Sequence, residues 1–134
     1  MSYTTILGVT PGVGTEAIIE LRNGHGTGPY IWGEMVVKYL GWERHGWLLG
    51  NDAMMWDLYK RRDIPMCHRA ALVMTFDRAY IKRENFARAA DDLDRFMSDF
   101  PPNPDNVNHW PEISRVLRSN PEYQAIGIWQ TSVN

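Results

Sequence analysis

At 134 residues, with 44% apolar and 22% charged residues, the chain has the size and make-up of one soluble globular domain spanning residues 1–134. It is long enough to bury roughly two-thirds of its unfolded surface, so it needs no metal, cofactor or disulfide to fold. Fourteen Lys and Arg against sixteen Asp and Glu give a net charge of −2, which argues against a general affinity for nucleic acid or anionic membranes. The lone Cys67 excludes an intramolecular disulfide and suits a reducing compartment. No apolar run approaches the ~20 residues of a membrane span, and the start Met1-Ser2-Tyr3-Thr4-Thr5 lacks the basic and apolar regions of a signal peptide. The expected location is the cytoplasm, without membrane association.

Residues 4–10 have strand composition, Pro11-Gly12-Val13-Gly14 reads as a turn, and residues 16–21 as the return strand of an antiparallel hairpin. The alternating Gly24, Gly26 and Gly28 then predict irregular chain. A helix over 30–40 follows, with Ile31, Met35, Val36 and Tyr39 inward and Gly41 ending it. After an aromatic loop or short strand over 42–50, Asn51 reads as the N-cap of a helix over 53–62 that offers Met55, Leu58 and Tyr59 on one face.

The run 69–81 is apolar on both of its alternating faces up to Phe76 and reads as the central strand, burying Leu72, Met74 and Phe76. Residues 84–100 form the clearest helix, with Phe86, Ala90, Leu93, Met97 and Phe100 on one stripe and Asp92 facing water. A short helix over 111–118 and a final strand over 123–133 complete the order β-β-α-α-β-α-α-β. The predicted fold is α+β: a four-stranded, mostly antiparallel sheet with helices packed on it.

Candidate sites follow from chemistry that stands out against this frame. Gly24, His25 and Gly26 lie in a glycine loop between a strand and a helix, where backbone amides can cradle an anion. The spacing matches neither the dinucleotide nor the P-loop pattern. Asp77 and Arg78 bring charge abruptly after the apolar run, at a strand end suited to ligand binding. Cys67 and His68 are adjacent, and in an extended strand they would point to opposite faces and could not pair. His25, His45, His68 and His109 show no metal-ligand spacing. Lys60-Arg61-Arg62 is the one basic triplet, followed at once by Asp63.

Six tryptophans exceed what a core of this size absorbs. Trp42 and Trp47 sit among glycines and charges, and Trp32 adjoins the glycine loop, so these three are the candidate partner-binding surface. The leading expectation is a small non-catalytic protein-interaction module, an inhibitor or accessory factor that meets a protein partner through aromatics. The alternative is a small hydrolase or transferase using His25, Asp77 and Arg78. A third reading is a homodimer formed through an exposed edge of the C-terminal strand.

Overall fold

Ile6 and Ile128 stand opposite one another at the middle of an antiparallel sheet, both fully buried. The computed structural model describes residues 2–11, 18–25, 30–43, 50–76, 78–102 and 110–132. Among the described residues four strands, β1 (Ser2–Val9), β2 (Ile18–His25), β3 (Arg78–Lys82) and β4 (Ala125–Ser132), form one sheet in the order β2-β1-β4-β3, every pair antiparallel. Among the described residues five α-helices accompany it: α1 (Tyr30–Leu40), α2 (Asp52–Tyr59), α3 (Met66–Thr75), α4 (Phe86–Asp99) and α5 (Trp110–Ser119). The fold class is the expected α+β with a four-stranded antiparallel sheet. The first hairpin strand, α1, α5 and the final strand fall close to where the sequence puts them, and the return strand of the hairpin runs on to His25.

Side chains alternate across a strand, so one set of cross-strand rows can be apolar while the other meets solvent. Ile6, Ile128 and Ala79 form one row, and Gly8, Ile126 and Ile81 the next. These isoleucines join a core shared with Met35 and Val36 of α1, Leu72 of α3, Leu93 and Phe96 of α4, and Leu117 of α5. The other face of the sheet carries the exposed Tyr80 and Trp129, with the Arg78 guanidinium 5.1 Å from the Trp129 ring centroid.

Local chemistry sets the helix ends. Gly41 follows α1 at φ +67°, a left-handed conformation that glycine adopts at no steric cost. Asn51 caps α2, its side chain accepting the Met54 N–H at 3.0 Å. Arg69 reaches back to the Tyr59 carbonyl at 3.0 Å and the Ile64 carbonyl at 3.0 Å, tying α3 to the chain before it. Arg118 of α5 forks onto Asp91 and Asp94 of α4, each at 2.6 Å, an exposed ion-paired link between the two helices.

The run 69–81 is not one central strand. It is helical to Thr75 and becomes strand only from Arg78, and that strand lies at the sheet edge. Pro65 opens the helix, its carbonyl accepting the His68 and Arg69 N–H groups. Four of its buried positions, His68, Ala71, Leu72 and Thr75, recur at three, four and seven residues, which is helical spacing, and Met74 is buried beside them. Leu72 and Met74 are buried as expected, though from a helix, and Phe76 is half-buried. In α4 the buried set is Phe86, Ala89, Ala90, Leu93 and Phe96; Met97 and Phe100 are half-buried. Gly24 and His25 belong to β2 rather than to irregular chain, pairing with Thr4 and Tyr3. From Ala125 to Trp129 the C-terminal strand β4 is interior, flanked by β1 and β3, so over that length it offers no edge to a second copy. No helix among the described residues is long and apolar enough to cross a membrane.

Candidate functional site

Helical geometry in α3 gives it two working faces. His68, Ala71, Leu72 and Thr75 turn into the core, while Met66, Ala70, Val73 and Met74 line a cleft on the other side. The cleft runs between α2, α3, β3 and the start of α4, has a volume of about 650 Å³, and falls within the size range of ligand sites. Met55, Trp56 and Tyr59 come from α2 and Tyr80 from β3. Among the described residues, the exposed large apolar side chains include Trp56, Met66 and Tyr80, and all three line this cleft. Asp52, Arg78, Asn85, Arg88 and Asp92 supply its polar groups.

Two features make the cleft more than a gap. Strand β3 has β4 on one side and, among the described residues, no strand on the other, so an edge adjoins the cleft. Asp92 was expected to face water but is half-buried at the cleft wall. Burial raises its carboxyl above the ordinary range, Arg88 opposes that shift, and Asp91 adds to it. The ionised carboxylate therefore weighs against the fold at neutral pH, and the cost is relieved as pH falls through the raised value.

A second constellation joins α1, α3 and α4. His68 is 6% exposed and bonded at both ring nitrogens: Nδ1 to the Tyr39 hydroxyl at 2.6 Å and Nε2 to Asp99 Oδ2 at 2.7 Å. A carboxylate only accepts, so a neutral imidazole carries its proton on Nε2 and Tyr39 donates to Nδ1. Hydrogen bonds from His68 and then Arg95 hold the Asp99 carboxyl below the ordinary range. Burial raises the Tyr39 phenol, with Cys67, Asp99 and Asp63 adding to it, so the phenol stays a protonated donor. Phe96 and Phe100 pack on the imidazole at ring-centroid distances of 5.4 and 5.0 Å. The Cys67 side chain is half-buried beside them, and the ligand atoms of Cys67, His68 and Asp99 all lie within 4.8 Å of one another. Adjacent residues diverge by a half-turn in a strand but by only about 100° in a helix, so α3 permits the Cys67–His68 proximity that a strand forbids.

The residues singled out by sequence are scattered. Trp32 is 4% exposed, packed edge-on against Trp42 and Phe76, and so belongs to the core instead of a partner surface. Its indole occupies the space a Cβ on Gly50 would need. Trp42 is half-buried, and Trp47 lies outside the described residues. Gly24 and His25 are in β2 and Arg78 in β3, at opposite edges of the sheet and about 14 Å apart in strand spacings alone. Gly26, Asp77, His45 and His109 lie outside the described residues, as does the turn over 12–14. Arg61 pairs with Asp63 at 2.6 Å and donates to the Tyr39 carbonyl, so one cation of the basic triplet is used within the fold.

Sequence reasoning passed over Trp56, Met66 and the pairing of His68 with Asp99; it reads Tyr80 as lining a ligand pocket together with Trp32, and Tyr80 lines this cleft while Trp32 does not. Trp56 was legible as a tryptophan off the apolar stripe of its helix. The His68–Asp99 pair joins residues 31 positions apart and leaves no local signal. Compared with protein families, with curated proteins and with solved structures, the chain matches none.

Proposed function

We propose that this protein is an interaction module that holds an extended, apolar segment of another protein in the cleft between α2, α3, β3 and α4. The observation that carries this reading is the gathering of exposed Trp56, Met66 and Tyr80 around one concavity. Solvent-exposed Trp and Tyr are the residue types that anchor protein partners, and the unbranched side chains of Met55, Met66 and Met74 adapt to different apolar groups. The adjoining edge of β3 suits an extended peptide, which adds main-chain hydrogen bonds to side-chain pockets. The single thiol suits a reducing, cytoplasmic setting. A hydrolase or transferase built from His25, Asp77 and Arg78 finds less support, because His25 and Arg78 sit on strands at opposite edges of the sheet.

The test is selection of random peptides displayed on phage, using the whole protein as bait. Selected peptides are expected to be apolar and to lose about 30-fold in affinity, or about 2 kcal/mol, on Trp56→Ala or Tyr80→Ala, while the melting transition holds. Binders indifferent to both substitutions, or no binder at all, would contradict the reading.

A further inference from the structure

We propose that Cys67, His68 and Asp99 form a binding site for a zinc-class divalent transition metal ion. This inference is independent of the cleft and uses none of its lining residues. A thiolate, an imidazole nitrogen and a carboxylate oxygen are the donor types such an ion prefers, and three protein ligands leave a fourth position for water.

The geometry is close to what coordination needs. Donors at bond lengths of ~2.0–2.3 Å in a tetrahedral site lie roughly 3.3–3.6 Å from one another. Here the His68 Nε2 to Asp99 Oδ2 separation is 2.7 Å, and the three donor atoms fall within 4.8 Å. Adjustments of about an ångström, within the reach of the half-buried Cys67 and of Asp99, whose side chain is 32% exposed, would seat the ion.

The surroundings are arranged as they are around metal-bound histidines. The second ring nitrogen of such a histidine is held by a hydrogen bond that fixes the ring. Tyr39 does this at Nδ1, and Phe96 and Phe100 pack on the ring. Arg95 sits 3.3 Å from Asp99 but is largely exposed, so it can leave the carboxylate without a buried vacancy.

Protons balance simply. The ion enters between Nε2 and the carboxylate, where the imidazole proton now lies. That proton moves to Nδ1, which then donates to the Tyr39 oxygen. The Cys67 thiol gives up its proton to solvent as the sulfur–metal bond forms, so one proton is released for each ion bound.

The experiment is titration of the whole protein, its thiol kept reduced, with cobalt(II) as the probe. A thiolate-to-cobalt charge-transfer band in the near ultraviolet is expected, with visible absorption intense enough to indicate tetrahedral geometry and both abolished by added zinc. Cys67→Ser should remove the charge-transfer band. Asp99→Asn should weaken binding by more than about 100-fold, and Tyr39→Phe by about 10–100-fold, the range for groups that orient a ligand. Circular dichroism of each variant reports whether the fold persists. No band in the wild type at millimolar cobalt overturns the proposal. A band that survives Cys67→Ser, or affinity untouched by Asp99→Asn in a folded variant, overturns it equally.

Discussion

Replacing Phe96 by alanine is expected to cost about 3–5 kcal/mol in denaturant unfolding. The side chain is fully buried, and its ring lies 5.7 Å from Tyr30, 5.4 Å from His68 and 4.8 Å from Phe100, centroid to centroid. Those three neighbours are fixed by other contacts. Tyr30 donates to the Phe100 carbonyl, and His68 is pinned at both nitrogens, so the space left behind cannot close easily. Met97, on the adjoining flank of the same helix, is half-buried and should cost less on truncation. A loss under about 1 kcal/mol at Phe96 would put that face of α4 outside the core.

Ala71→Pro is expected to cost at least about 3 kcal/mol, and failure to accumulate as folded protein agrees with that figure. Ala71 is fully buried in the interior of α3, and its carbonyl accepts the Thr75 hydroxyl at 2.7 Å. Proline there removes the amide that bonds one turn back and drives its ring against the carbonyl of Cys67, four residues earlier in α3. The damage should spread to both faces of the helix, because Ala70 and Val73 line the cleft while His68 and Leu72 turn inward. A variant that unfolds within about 1 kcal/mol of wild type would show that Ala71 is not in a helix interior.

The parts legible in the sequence were those where local pattern and global fold agree. Gly41 as a helix stop, Asn51 as an N-cap and the α4 stripe rest on contacts within a few residues, and the hairpin strands pair with their neighbour in sequence. The run after Cys67 failed for a specific reason. Its apolar content is nearly continuous, so both a strand and a helix satisfy it, and the polar His68 and Thr75 at the buried helical positions hid the period. Pro65 and the alanine pair Ala70-Ala71 were the available signals for a helix.

The candidate sites were less legible, because each depends on that one assignment. Read as a strand, residues 66–75 send Cys67 and His68 to opposite faces and leave no concavity. Read as a helix, they put Met66, Ala70, Val73 and Met74 along the cleft and His68 within reach of Asp99. Burial of Trp32 was equally beyond local pattern, since it comes from Trp42, Phe76 and the close approach of Gly50.

The central claim is therefore the change from helix to strand between residues 66 and 82, which builds the cleft and the Cys67–His68–Asp99 cluster together. Backbone Cα carbon chemical shifts of the whole protein in solution test it directly. Helical, downfield shifts are predicted from Met66 to Thr75, giving way to extended, upfield shifts from Arg78 to Lys82. Upfield shifts running unbroken from Arg69 to Ile81 would contradict the account and return the segment to a single strand.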